Sequence, residues 1–104
     1  MITTDQRDKL RQFFGAYFHQ DWDIEFGTPD QALSAFIRQQ VERSALEELS
    51  RSIVTFVHEH PDDADLDEAL FKELGCEYFP PGHGILTRAW LLSVAATLER
   101  GRPS

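Results

Sequence analysis

Residues 13–26 of the chain read FFGAYFHQDWDIEF, and this stretch decides the fold class. It holds six aromatic side chains in fourteen residues. Leu10 and the aromatic residues up to Phe18 recur at spacings of three and four, which is the apolar stripe of an amphipathic helix that faces a core. After His19 the helical spacing ends. The next residues combine one indole with three carboxylates: Trp22, Asp21, Asp23 and Glu25. The sequence therefore predicts a helix that delivers an acidic and aromatic segment at its C-terminal end.

The rest of the chain predicts four more helices and no convincing strand. Each start is marked by a side chain that can accept a hydrogen bond from a free helix N–H group. For the five helices, including the first, the predicted starts are Thr3, Thr28, Ser44, Asp65 and Thr87. The last helix is apolar on almost every side, which is typical of a helix in the middle of a bundle. We expect an all-α fold, with residues 1–104 forming a single domain and one compact bundle of about five mostly antiparallel helices.

Two features inside this pattern need their own explanation. Gly15 lies within the first helix, where glycine is less favourable than alanine by about 1 kcal/mol. We expect another helix to approach closely at that point. The second feature is the loop with Tyr78, Phe79 and two prolines. We interpret its aromatic rings as filling one end of the bundle, although contact with a partner is an alternative.

The charge of the chain excludes one class of partner and favours another. Eighteen acidic against ten basic side chains give a formal net charge of −8. Nucleic-acid binding needs clustered Lys and Arg, so no nucleic-acid partner is expected. An acidic surface instead suits a basic protein, because complementary charge speeds encounter and filters partners. The alternative is that the charge only keeps the protein soluble.

The sequence shows no signature of catalysis, of a metal or of a cofactor. Cys76 is the single cysteine, so neither an internal disulfide nor a cysteine-based zinc site is possible within the chain. The four histidines form no recognisable metal-binding motif. The first twelve residues are polar and unlike a signal peptide, and no apolar run is long enough to span a membrane. We therefore expect a cytoplasmic protein with no cofactor, no metal and no membrane partner.

Several short motifs, spread over residues 10–98, carry a family resemblance. They are YFHQDW at residues 17–22, TPDQA at 28–32, LG at 74–75, YFPP at 78–81 and WL at 90–91. With these motifs the chain resembles the small immunity proteins of contact-dependent growth inhibition systems. The resemblance implies an inhibitor without catalytic activity, which waits in the cytoplasm and binds the C-terminal domain of a cognate toxin. Such toxins are often nucleases, and an acidic inhibitor suits a basic nucleic-acid-binding site.

Two acidic segments are the candidate toxin-binding surfaces. The candidate residues are Asp21, Trp22, Asp23, Glu25, Asp62, Asp63, Asp65 and Asp67. Carboxylates next to an indole have the composition of a protein-binding hot spot. The second group repels itself, which favours a functional role. The alternatives are structural: Trp22 belongs to the core, and the acids of the second group stabilise the start of a helix through its dipole.

The resemblance therefore predicts a monomeric immunity protein that binds one toxin domain and covers its substrate-binding or active site. A second hypothesis is a small helical adaptor or regulatory subunit that binds a different basic protein. An enzyme is the weakest of the three, because no nucleophile or glycine-rich loop accompanies the carboxylates.

Overall fold

The computed structural model describes residues 2–19, 21–39 and 42–100, and these residues form six α-helices and no strand. The helices are α1 (Thr4–Tyr17), α2 (Trp22–Phe26), α3 (Pro29–Gln39), α4 (Arg43–Glu59), α5 (Asp63–Lys72) and α6 (Thr87–Arg100). A 3-10 turn, Pro80–His83, lies between α5 and α6. The predicted all-α fold is confirmed. Gln20 of the YFHQDW motif lies outside the described residues.

The helix starts at Thr3 and Thr28 agree with the sequence. Helix α6 begins at Thr87, but Thr87 is its first residue and not its cap, because the Thr87 hydroxyl has no hydrogen-bond partner among the described residues. The Thr3 hydroxyl accepts a hydrogen bond from the Gln6 N–H, and the Gln6 side chain accepts one from the Thr3 N–H, which completes a capping box. The Thr28 hydroxyl accepts from the Gln31 N–H at 3.1 Å.

Two predicted helix starts are wrong. Helix α4 begins at Arg43, before Ser44, and the Arg43 guanidinium donates to the carbonyls of Glu99 and Arg100 at the end of α6. Helix α5 begins at Asp63, and its cap is Asp62 instead of Asp65. A cap accepts from an N–H two or three residues later, and several nearby acids satisfy that spacing in the sequence.

Helix α2 was not expected, because residues 21–27 read as a connection. It is only five residues long, so it is too short to show a helical period. Gly27 ends it with a φ of 92°, which a residue with a side chain rarely adopts. The predicted five helices are therefore six in the described chain.

The core is centred on the contact between α4 and α6, which is the most extensive contact between two helices. The buried Ser50 hydroxyl on α4 donates to the Ala95 carbonyl on α6 at 2.7 Å. Helix α6 also packs against α5 and the 3-10 turn. It is not enclosed on every side, however, because Ala89, Leu92 and Ala96 are exposed. The expectation of a helix in the middle of the bundle is therefore met on one side only. The buried residues of α6 face α4 and α5, and the side with Ala89, Leu92 and Ala96 faces solvent.

Helix α1 contributes its aromatic stripe to the same core. Phe14 and Phe18 are fully buried. The Phe18 ring meets Trp90 of α6 edge-on, with 5.3 Å between ring centroids. Edge-to-face rings at this distance stabilise a core beyond the effect of their buried area. The helix predicted from residues 13–18 thus packs as its spacing indicates.

Gly15 is not a site of close helix approach. A Cβ atom built on Gly15 meets nothing within 4 Å, and the residue is exposed. The glycine is therefore a weak point of α1 with no packing reason in the described structure.

We expect Gly15→Ala to raise the free energy of unfolding by about 1 kcal/mol, because alanine is the better helix former and no neighbour has to move. Urea denaturation followed by circular dichroism measures the change. Gly75→Ala is the matched control. Its Cβ would also meet nothing within 4 Å, but its φ of 72° makes alanine strained, so this variant should be less stable. Equal effects of the two substitutions would contradict this account.

Asp62 should matter for stability through its cap and not through its charge. Its carboxylate accepts a hydrogen bond from the Asp65 N–H at 3.1 Å. We expect Asp62→Ala to lower the free energy of unfolding by about 1 kcal/mol, whereas Asp62→Asn keeps a capping oxygen and stays within about 0.5 kcal/mol of the parent. Thermal unfolding of the two variants tests this, and equal losses would mean that the charge matters instead.

Candidate functional site

The YFHQDW motif joins the end of α1 to the rest of the fold. The Phe18 carbonyl accepts a hydrogen bond from the Glu77 N–H at 2.7 Å, which ties the end of α1 to the segment after α5. The Tyr17 hydroxyl donates to the Gln39 side-chain oxygen at 2.6 Å, and its ring stacks on Phe26. Tyr17 and Phe18 therefore have structural roles that explain their place in the motif.

His19 orients the first turn of α2. Its Nδ1 atom accepts a hydrogen bond from the Asp21 N–H at 3.1 Å, so the ring proton is carried by Nε2. The Nε2 atom faces the Glu25 carboxylate at 2.9 Å. The ring thus holds both ends of the segment that carries Asp21, Trp22, Asp23 and Glu25.

Within that first acidic segment the side chains divide between core and solvent. The half-buried Trp22 ring packs against Phe18 and meets Tyr78 edge-on at 5.3 Å. Asp21, Asp23 and Glu25 are exposed. The structure therefore supports the structural interpretation of the indole. The carboxylates of Asp21 and Asp23 face water, whereas the exposed Glu25 carboxylate pairs with His19. A role of these four residues in binding stays a prediction.

Two residues of the second acidic segment have structural partners. Asp62 caps α5, as described above. Asp63 accepts hydrogen bonds from the Arg88 guanidinium at 3.2 and 3.3 Å. Arg88 also donates to the backbone carbonyls of Val57, His60 and Pro61, so one side chain of α6 holds the connection between α4 and α5. Arg88 is 25 residues beyond Asp63, and no local spacing points to this pair.

Asp65 and Asp67 differ from these two acids. Asp65 is exposed and Asp67 is half-buried. Neither carboxylate has a hydrogen bond or ion pair within residues 2–19, 21–39 and 42–100. Asp65 lies in the first turn of α5, where negative charge is favourable, and Asp67 lies in the second turn. They are therefore the carboxylates of this segment that remain available to a partner.

Residues 76–80 lie between the two acidic segments. On one side, Tyr78 contacts Trp22 of the first segment; on the other, residues 76–80 line a groove together with Asp67. Tyr78 is buried and packs against Trp90, as expected for a ring that fills the end of the bundle. Phe79 does not fill it, because 56% of its surface is exposed. The interpretation of Phe79 as a core residue was wrong.

The groove between α5 and residues 76–80 has a volume of about 510 Å³. We call it the α5 groove. Besides Phe79 it is lined by Phe71, which is 53% exposed on α5. Phe71 was not among the candidate residues predicted from the sequence. A signal was present, because Phe71 falls outside the buried stripe of its helix and is a large apolar side chain on the solvent side.

The Cys76 thiol donates a hydrogen bond to the Tyr78 carbonyl at 3.5 Å. The thiol is buried, and burial raises its pKa to about 12. Across the described residues, no group of three His, Cys, Asp or Glu side chains is arranged to hold a metal ion. None of the described helices has the length and apolar character needed to cross a membrane.

Comparison with known proteins gives a family and a fold. No match was found among curated proteins. A chain in the crystal structure of the CdiA-CT/CdiI complex from Y. kristensenii 33638 superposes with a TM-score of 0.81 at 22% identity, covering 94% of this chain and 98% of that chain. At this identity the likeness shows a shared fold. The family model described as CdiI immunity protein matches residues 6–98. Because the family model matches most of the length of this chain, the chain belongs to the CdiI immunity protein family.

Proposed function

We propose that this chain is the immunity protein for a cognate contact-dependent growth inhibition toxin, and that it neutralises the toxin by binding its C-terminal domain. The toxin domain is a basic nuclease, most simply an RNase, and the immunity protein covers its substrate-binding or active site. It acts in the cytoplasm as a monomeric single domain, with one copy bound to one toxin domain. The family membership supports the neutralising role, and the net charge of −8 supports a basic partner.

The observation that carries the proposal is the placement of available carboxylates on both acidic segments. Asp21 and Asp23 are exposed on one side of residues 76–80, and Asp65 is exposed on α5. A nuclease binds its substrate with clustered Lys and Arg. Carboxylates that face water on one molecule can attract that basic surface over a distance of about 10 Å at moderate salt.

The same geometry decides which acids give a clean test. Substitution of Asp62 removes a helix cap, and substitution of Asp63 breaks the pair with Arg88. A loss of binding in those variants would be confused with a loss of stability. Asp21, Asp23 and Asp65 are better choices because they are exposed and their side chains make no contact with a distant part of the described chain. Their amide variants form the acidic-segment triple: Asp21→Asn, Asp23→Asn and Asp65→Asn.

The test measures binding to the toxin domain encoded immediately upstream of this gene. We expect the association rate to fall by at least about tenfold between about 0.05 and 0.5 M salt, because screening removes electrostatic attraction. The acidic-segment triple should also associate more slowly than the parent. The control is a triple with the same change in net charge, which we call the remote triple: Asp5→Asn, Asp8→Asn and Glu47→Gln. These three acids form only exposed ion pairs within one helical turn, and such pairs contribute little to stability.

The outcomes separate the parts of the proposal. If the acidic-segment triple and the remote triple slow association equally, the acidic segments do not face the toxin. If one equivalent of the chain binds the toxin domain, but that domain cleaves neither RNA nor DNA, the immunity role stands and the nuclease assignment fails. If the toxin domain does not bind at all, the adaptor hypothesis replaces the immunity role.

The proposed inhibitor does no covalent chemistry of its own, and Cys76 provides a test of that. Its raised pKa leaves only about one thiol in ten thousand ionised near pH 8, against about one in ten for an ordinary thiol with a pKa of 9.0. We expect native Cys76 to react with iodoacetamide at least about a hundredfold more slowly than the urea-unfolded chain. Mass spectrometry of quenched samples measures both rates.

The sign of the same shift predicts how stability depends on pH. The pKa of Cys76 is higher in the folded chain than in the unfolded chain. The neutral buried thiol therefore contributes fully to the free energy of unfolding below pH 9, and this contribution is lost as the pH rises toward 12. Replacing Cys76 with serine, which does not ionise in this range, should remove that part of the alkaline loss. Rapid alkylation of the native protein would contradict the assignment of Cys76 as an inert core thiol.

A further inference from the structure

The α5 groove is an apolar depression with a negatively charged rim. Phe71 and Phe79 expose more than half of their surfaces on it. Asp67, Glu68 and Glu77 line the same groove. Apolar surface that is gathered in one place and surrounded by polar groups is typical of an interaction site.

The groove is held in shape by the backbone around it. The Gly82 N–H donates to the Phe79 carbonyl at 3.1 Å, which closes the turn after Phe79. A Cβ atom on Gly82 would lie 3.3 Å from the Phe79 ring, so the ring already rests against this turn. The Glu77 N–H is bonded to the Phe18 carbonyl of α1. The exposed ring and the neighbouring carboxylate therefore project from an anchored segment.

The carboxylates of the rim are available. The carboxylates of Asp67 and Glu77 have no hydrogen-bond or ion-pair partner within the described parts of the chain. Glu68 pairs with Lys72 at 3.0 Å, but both side chains are exposed, and an exposed pair one helical turn apart is weak. A cation that enters the groove can therefore displace Lys72 from Glu68 at little cost in free energy.

One residue that lines the groove, Thr87, has a polar group without a hydrogen-bond partner among the described residues. Thr87 is 4% exposed, and its hydroxyl has no hydrogen-bond partner among the described residues. Buried hydroxyl groups are almost always hydrogen-bonded. Thr87 lines the groove, so its wall contains an unsatisfied polar group that is independent of the charge of the rim.

We propose that the α5 groove binds a basic side chain of the cognate toxin domain and is the anchor of the complex. This inference rests on the proposed immunity function and names its contact surface. The alkyl part of the side chain lies on Phe71 and Phe79, and its charged end pairs with Asp67 and Glu77. Arginine fits better than lysine, because its planar guanidinium can bond a carboxylate through two N–H groups.

The chemistry of the rim also argues against self-association. A second copy of this chain carries the same net charge of −8 and would bring its own acids toward the rim. A basic partner removes the mutual repulsion of the rim carboxylates. The exposed carboxylates of the acidic segments steer the encounter, whereas the groove holds the bound toxin.

This division of roles gives the experiment a specific kinetic prediction. The groove triple consists of Asp67→Asn, Glu68→Gln and Glu77→Gln, and the remote triple defined above has the same charge change. Association and dissociation with the upstream-encoded toxin domain are measured at about 0.15 M salt. We expect the groove triple to dissociate at least about 30-fold faster than the parent, because a bound cation would lose its partners. The remote triple should change the dissociation rate by less than about threefold.

An apolar substitution tests the aromatic part of the site. Phe79→Ala should weaken toxin binding by about tenfold or more, as expected for an aromatic anchor. Leu92→Ala is the control, because Leu92 is an exposed apolar residue of α6 outside the groove. Thermal unfolding of all variants checks that each is folded at the temperature of the measurement.

The results distinguish failure of the groove from failure of the immunity role. If the parent binds the toxin and the groove triple dissociates no faster than the remote triple, the groove proposal is overturned and the immunity function stands. If the groove variants change only the oligomeric state of the chain, seen by light scattering, the occupant is a second copy and the proposal is again wrong. If the parent does not bind the toxin domain, both proposals fall together.

Discussion

The hydrogen bond between the Phe18 carbonyl and the Glu77 N–H is the constraint on which the end of the molecule with the proposed binding surface depends. It joins the buried end of α1 to a segment about sixty residues later in the chain. Tyr78 is thereby placed against Trp22 and Trp90, and the chain is placed where α5 can form a groove with it. The aromatic stretch that organises the core therefore also positions the surface that we propose for binding.

The two acidic segments are physically different, although they look alike in composition. In the second segment, Asp62 caps α5 and Asp63 pairs with Arg88, so both carboxylates contribute to the stability of the fold. The carboxylates of Asp65 and Asp67 make no such structural contact within the described chain. In the first segment, Glu25 pairs with His19, while Asp21 and Asp23 face water. A surface of this kind separates the acids that maintain the fold from those that a partner can use.

The sequence was sufficient for features that depend on local spacing. The apolar stripe of α1, the Thr3 capping box and the start of α6 all follow from neighbouring residues. The sequence did not predict features that depend on distant contacts or on very short elements. These features are the pair of Asp63 with Arg88, the single turn of α2, and the absence of a neighbouring helix beside Gly15. For the candidate site, the acids were visible in the sequence, but the exposure of Phe71 and Phe79 depends on how α5 packs.

The Arg88 side chain has a consequence for the thermodynamics of binding. From α6 it bonds to three carbonyls in the connection between α4 and α5 and to Asp63 at the start of α5. One wall of the groove is thus held in place before any partner arrives. Ordering a mobile side chain or segment on association costs about 0.5–1.5 kcal/mol for each long side chain. A rigid α5 avoids much of that entropy loss, so a small contact area can give a long-lived complex.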